Sequence, residues 1–254
     1  MKLKFILGKV WLVYAMGFFC VLFLAMYPLF WLTLQHRSTY RLASFLRKVW
    51  GYTTLIVGCM FPVVRYEDKL DPKQRYVFAP NHASYLDIIT NGTLLPGFNF
   101  FMAKIELTNV PLFNIWFKTL DVSVKRESIR HAHRAFMEAS EKMDDLDANL
   151  VIYPEGRIPD YTPKLIYPFK PGAFRVAIEK QIPIVPVTMP DNHRLMNNFK
   201  WLAAPGRMRM IVHKPIPTKG LSNDDIPKLA EQVHEVINSQ LERSGAFKNY
   251  PAWT

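Results

Sequence analysis

A histidine and an aspartate five residues apart, His82 and Asp87, lie in the segment Asn81-His82-Ala83-Ser84-Tyr85-Leu86-Asp87. Together they can abstract a proton from a hydroxyl: neutral imidazole accepts the proton while the carboxylate fixes its tautomer and stabilises the imidazolium. The flanking residues must bring the pair together. Tyr76-Val77-Phe78-Ala79-Pro80 reads as a buried strand ending at a proline, and Ser84-x-x-Asp87 has the form of a capping box opening a helix. Residues five apart on a regular helix are roughly 140° apart around its axis. The two side chains therefore meet only if His82 stays in the loop and Asp87 occupies the first turn, the placement that a Ser84 cap imposes. The plainer alternative is a polar loop histidine beside a carboxylate that serves the helix N-terminus.

Three further segments carry charge to the ends of expected strands. Ala103-Lys104-Ile105-Glu106 ends one with a lysine, Val122-Ser123-Val124-Lys125-Arg126 ends another with two cations, and Ile152-Tyr153-Pro154-Glu155-Gly156-Arg157 ends a third with a carboxylate, a glycine and an arginine. Converging cations make an anion site, and arginine suits two-point contact with phosphate or carboxylate. Scattered surface ion pairs are the alternative.

Strands are expected over 61–66, 76–79, 98–103, 120–124, 150–153, 182–187 and 208–212, and helices over 84–94, 111–118, 128–143, 173–180 and 224–241. The last helix is the clearest: Ile226, Leu229, Val233, Val236, Ile237 and Leu241 form one apolar stripe. Such alternation favours an α/β sheet with helices packed on it, and open α/β sheets place ligands at strand ends.

The first 66 residues hold eight of the eleven net positive charges and no acidic residue, while the 25 residues from Val10 to Leu34 carry no charge at all. That run exceeds the approximately 20 residues needed to cross a bilayer as a helix. It is also too long for the apolar core of a secretory signal and has no small-x-small cleavage site after it. Pro28 suggests a helix break, with a turn near 35–39. A second helix would then place Leu42, Phe45, Leu46, Val49, Tyr52 and Ile56 on one face and Arg41 and Lys48 on another, a composition suited to a membrane interface. Residues 1–60 thus read as a membrane-embedded two-helix anchor and 61–254 as an α/β domain. Cys20 and Cys59 read as packing residues, and His131-x-His133 as solvated, with no metal pattern. The excess positive charge accompanies lipid-compatible residues, which argues against nucleic acid as the partner.

His82-x4-Asp87, Lys104, Arg126, Pro154-Glu155-Gly156 and Ile184-Val185-Pro186-Val187 follow one another in an order that resembles the four blocks of the glycerolipid acyltransferase family, above all its bacterial 1-acyl-glycerol-3-phosphate acyltransferases. The likeness spans about 81–187. It implies a mixed sheet flanked by helices and a cytoplasmic-face enzyme of the inner membrane. It further implies acyl transfer from a thioester of coenzyme A or acyl carrier protein to the free hydroxyl of a lysolipid, with no cofactor and no metal. His82 would be the base and Asp87 its orienting partner. Lys104, Arg126, Glu155, Gly156 and Arg157 would bind the acceptor, with amides around Gly156 as candidate oxyanion donors. The chain has no G-x-S-x-G elbow to carry an acyl-serine, which agrees with direct transfer. One departure stands out: the family's third block usually reads Glu-Gly-Thr-Arg, whereas here Arg157 follows Gly156 directly. A lyso-aminolipid acceptor, or a noncatalytic lipid-binding protein of the same fold, is the competing expectation.

Overall fold

Alternate residues of the central strands enter two different apolar clusters, one on each face of the sheet. Val77, Phe100, Leu150 and Ile184 join one cluster, while their neighbours Phe78, Phe101, Val151 and Val185 join the other. Period-two alternation produces this split, and strands buried on both faces need apolar residues at every position. The structure is a computed structural model that describes residues 2–125, 128–159 and 164–247.

The chain opens with two helices, α1 (Lys2–Thr33) and α2 (Tyr40–Val57), and then enters the sheet through β1 (Met60–Tyr66) and β2 (Val77–Pro80). Next come α3 (Leu86–Leu94), β3 (Asn99–Lys104), α4 (Ile115–Lys118), β4 (Val122–Val124), α5 (Ile129–Leu146) and β5 (Asn149–Val151). The remainder comprises α6 (Gly172–Glu179), β6 (Ile184–Thr188), α7 (Asn192–Leu195), β7 (Met196–Asn197), β8 (Leu202–Ala203), β9 (Gly206–Val212) and α8 (Ile226–Arg243). Seven strands form one sheet in the order β1-β9-β6-β2-β5-β3-β4, while β7 and β8 pair separately. Every pair in the large sheet is parallel except β6 with β9, so the sheet is mixed as expected. Its four neighbours β2, β5, β3 and β4 all run the same way, and their carboxyl ends therefore share one edge.

The N-terminal helices depart from the sequence reading at one point. Helix α1 continues through Pro28 to Thr33, so the expected break is absent, although the turn falls where it was expected, in the residues before Tyr40. Helix α1 is long and apolar enough to cross a membrane. Cys20 is exposed on it and is not a packing residue; Cys59 is half-buried.

In α2 the apolar stripe faces outward. Leu42, Phe45, Val49, Tyr52 and Ile56 are exposed, while Ala43, Ser44, Arg47, Trp50, Gly51 and Thr54 are buried. Gly51 permits the contact with α3, since a Cβ there would stand 1.9 Å from Thr93 Oγ1. An aromatic cluster fastens the helix pair to the body: Phe23 lies 5.1 Å from Trp50, and Phe30 lies 5.1 Å from Trp116 of α4, between ring centroids.

Candidate active site

His82 sits in the loop after β2 and Asp87 in the first turn of α3, the placement that makes a pair five residues apart meet. His82 Nδ1 lies 3.0 Å from Asp87 Oδ2. That oxygen also accepts the N–H groups of Ala83 at 2.7 Å and Ser84 at 2.8 Å. The Ser84 hydroxyl accepts from the Leu86 N–H at 3.1 Å while the Asp87 N–H bonds the Ser84 carbonyl, so only the carboxylate half of the expected capping box forms and Tyr85 takes the cap position. A carboxylate is an acceptor only, so the Nδ1 that faces it carries the hydrogen and Nε2 keeps its lone pair for a substrate. The Tyr153 ring stacks on the imidazole, with centroids 4.0 Å apart and planes 19° apart.

Two residues that local pattern did not single out complete this arrangement. Asn192 of α7 is fully buried and donates from Nδ2 to Asp87 Oδ1 at 2.8 Å. Asn91 of α3 donates to the Asp87 carbonyl and to the Tyr153 hydroxyl, each at 3.0 Å. Nothing in the local sequence marks Asn192, which reaches Asp87 across 105 residues. The general rule that strand ends gather site residues is the only available signal, since α7 follows β6.

Glu155 lies beneath the loop. Its Oε1 accepts the His82 main-chain N–H at 2.6 Å and its Oε2 accepts the Ile166 N–H at 2.9 Å. Burial pushes its carboxyl up to about 8, against the opposing pull of those two N–H groups and with a further push from the charge of Asp87. Gly156 adopts φ +72°, a conformation that favours glycine, and donates its N–H to the Tyr153 carbonyl at 3.1 Å inside the turn. That amide is therefore engaged within the protein. Burial also raises the Tyr153 phenol well above its ordinary value and lowers His193 to about 4.

An apolar cavity of about 450 Å³ opens beside His82. Trp50 and Gly51 of α2, Ile89 and Thr93 of α3, Phe101 of β3 and Phe117 of α4 contribute to its walls. Lys104 and Arg157 line the same cavity as His82. Lys104 also pairs with Glu106 at 2.8 Å. Arg126 falls outside the described residues, but Lys125 directly follows Val124, whose register partner on β3 is Lys104. Lys104 and Arg157, which follow β3 and β5, thus meet at one cavity as the parallel order of those strands requires.

A buried ion pair, Arg47–Asp121, also lines the cavity. Arg47 of α2 bonds both oxygens of Asp121, at 3.1 and 2.9 Å, and donates to the Asn99 carbonyl at 2.7 Å. Its guanidinium lies 4.8 Å from the Trp116 ring centroid and 5.0 Å from that of Phe101. Asp121 Oδ1 further accepts the Phe101 N–H at 3.0 Å.

An imidazole backed by a carboxylate, on the wall of an apolar cavity that Lys104 and Arg157 also line, stands at the carboxyl-end edge of a mixed sheet, and these features define an α/β protein with its site where such sheets place ligands. The family model described as Acyltransferase matches residues 62–190, about half of the chain, and the chain belongs to that family. It is 31% identical over 172 residues to 1-acyl-sn-glycerol-3-phosphate acyltransferase alpha of Ovis aries, a match that covers 67% of this chain and 59% of that protein. To 1-acyl-sn-glycerol-3-phosphate acyltransferase of Haemophilus influenzae it is 25% identical, across 72% of this chain and 78% of the relative. The crystal structure of the 1-acyl-sn-glycerophosphate (LPA) acyltransferase PlsC from Thermotoga maritima shares the fold, with a TM-score of 0.75 at 19% identity and with 100% and 99% of the two chains covered.

Proposed function

We propose that the protein transfers an acyl group from a thioester to the free hydroxyl of a lysolipid, with 1-acyl-glycerol-3-phosphate as the acceptor and phosphatidic acid as the product. The observation that carries this reading is the His82–Asp87 pair, with its bonded Nδ1 and its Nε2 left for the substrate, on the wall of an apolar cavity that Lys104 and Arg157 also line. The names of the relatives support the choice of acceptor.

In this mechanism His82 Nε2 takes the hydroxyl proton as the acceptor oxygen attacks the thioester carbonyl. The tetrahedral intermediate collapses, the C–S bond breaks, and the leaving thiolate takes the proton back from the imidazolium. Asp87 stabilises the imidazolium between these steps and does not itself need to be protonated. The apolar cavity takes an acyl chain, and Lys104, Arg126 and Arg157 hold the acceptor phosphate. Glu155 and Gly156 shape the loop under the headgroup. Arg157 follows Gly156 one position earlier than the family pattern, yet it lines the cavity, so the early placement leaves it within the acceptor site.

The donor is acyl coenzyme A or acyl carrier protein. Residues 1–60 anchor the 61–254 domain to the inner membrane from its cytoplasmic face, and α2 adds cavity walls as well as attachment. The test is purified full-length protein in anionic vesicles, offered lysophosphatidic acid and a lyso-ornithine lipid in competition with either donor. Phosphatidic acid is the expected product, and His82→Ala should lower its rate by about 10² to 10⁴. Transfer that persists undiminished in His82→Ala refutes the mechanism, and failure with both acceptors under both donors refutes the activity.

A further inference from the structure

The segment between β6 and β9 carries a second apolar surface that the sequence pattern did not show. The strands β7 and β8 hold a four-residue loop whose Phe199 and Trp201 are 43% and 51% exposed. The loop is built to stand. Asn197 Oδ1 accepts the N–H groups of Phe199 at 3.1 Å and Lys200 at 2.9 Å, and Trp201 sits at φ +50°, a left-handed conformation that an aromatic residue rarely adopts. Two large aromatic side chains held outward at the tip of a pinned turn are costly in water and suited to the headgroup zone of a bilayer.

Its neighbours extend the surface on two sides. Lys9 of α1 donates from Nζ to the Lys200 carbonyl at 2.8 Å, so the loop adjoins the helix turns that expose Phe5, Ile6, Val10 and Val13. On the other side, the Trp201 ring centroid lies 6.3 Å from that of Tyr85, which is itself exposed and lines the cavity beside His82. The loop is also bonded to the catalytic segment: Ser84 Oγ donates to the Met196 carbonyl at 2.8 Å, and Asn198 Oδ1 accepts the Tyr85 N–H at 3.1 Å.

We infer that the β7–β8 hairpin is a second membrane-contacting element, which inserts Phe199 and Trp201 into the interface of an anionic bilayer and holds the cavity rim at Tyr85 against the lipid surface. The occupant is a lipid surface because the patch is continuous with the apolar face of α1 and is edged by Lys9 and Lys200, a pairing of aromatic and basic residues that favours anionic headgroups. This rests on α1 and α2 being membrane elements and is independent of the acyl acceptor.

The experiment compares full-length protein with Trp201→Phe on anionic vesicles containing dibrominated lipid, whose bromines quench tryptophan at contact. The emission that distinguishes the two proteins is that of Trp201, and it should be quenched. In a second arm, Phe199→Ser/Trp201→Ser should lower transfer to a long-chain lysolipid held in the vesicles roughly tenfold while leaving transfer to a short-chain, water-soluble lysolipid unchanged. If wild-type protein fails to bind vesicles, the anchor reading falls and the hairpin reading with it. If it binds while the Trp201 emission is untouched by bromine, or if the double variant acts on the vesicle-held lysolipid like wild type, the hairpin proposal alone falls.

Discussion

Two buried carboxylate pairs meet one cavity, through His82 in one and through Arg47 and Asp121 in the other, and they differ in almost everything else. His82 and Asp87 are five residues apart; Arg47 and Asp121 are 74 apart and join α2 to the start of β4. The first pair contains a ring nitrogen that can gain and lose a proton, and its second nitrogen is left for a substrate. The second pair contains a guanidinium that keeps its charge at any working pH and faces aromatic rings. In the proposed reaction the first pair moves a proton, while the second fixes a helix whose outward face is apolar. Burial and an ionic partner therefore do not by themselves mark a catalytic group; an available protonation change facing a cavity does.

The comparison is broken most directly by opening each pair. Asp87→Asn removes the carboxylate behind His82 and should lower kcat by about 10² to 10⁴, or roughly 3 to 5 kcal/mol of barrier, while the melting temperature moves much less than it does on opening the other pair. Arg47→Met leaves Asp121 buried without its counter-charge and should cost about 3 to 5 kcal/mol of stability, with kcat per folded molecule largely kept. Adding Asp121→Leu should then recover most of that loss, because two apolar side chains leave no buried charge to compensate. Thermal unfolding and turnover of the same preparations separate the two outcomes, and a rate defect in Arg47→Met equal to that of Asp87→Asn would erase the distinction.

A smaller effect sharpens it. Asn192→Leu removes the donor to Asp87 Oδ1 and should lower kcat by about tenfold to a hundredfold, the equivalent of losing one hydrogen bond to a buried charged group. KM for the lysolipid should hold, since Asn192 does not line the cavity. An unchanged kcat with a lowered melting temperature would instead place Asn192 with Arg47, on the structural side.

The pairs also show what the sequence can reveal. His82 and Asp87 were legible because Ser84, one loop and one helix start fix their meeting locally. The inner strands of the main sheet were legible because strands buried on both faces leave continuous apolar runs such as Tyr76-Val77-Phe78-Ala79, and the half-exposed edge strand β1 was legible from its aromatic and β-branched residues. Arg47–Asp121 was not, since nothing near either residue names its partner. Helix α2 was half legible: most of its apolar stripe is exposed as an interfacial face requires, but Leu46 packs on the core, and the opposite face buries Ser44, Arg47 and Thr54 beside Trp50 and Leu55, a mixed face that no apolar period marks. In α8, of the same length, the stripe of Leu229, Val233, Ile237 and Leu241 faces inward. The β7–β8 hairpin, with two residues per strand, is too short to leave a periodicity, and α1 passes Pro28 because a long apolar helix tolerates one missing bond where its neighbours continue the ladder.

Glu155 lies between the two pairs in character. It touches His82 as Asp87 does, but it grips the main chain rather than the ring. Burial raises its carboxyl from 4.5 to about 8, so across that window the folded protein keeps a proton that the unfolded chain has released. The sign follows from linkage: where the native state binds more protons, stability falls as pH rises. Wild-type protein should therefore lose stability from about pH 4.5 to about pH 8 through this group and level off above, a slope that thermal unfolding across that range records and that Glu155→Gln should abolish. Because Gln can accept with only one of its two terminal atoms, the variant also forfeits one of the N–H bonds from His82 and Ile166, at a cost of about 1 to 3 kcal/mol. If kcat stays within a few-fold of wild type, Glu155 belongs with Asp121 as architecture. If it falls as far as in Asp87→Asn, the division between chemistry and architecture fails at the residue that bridges them.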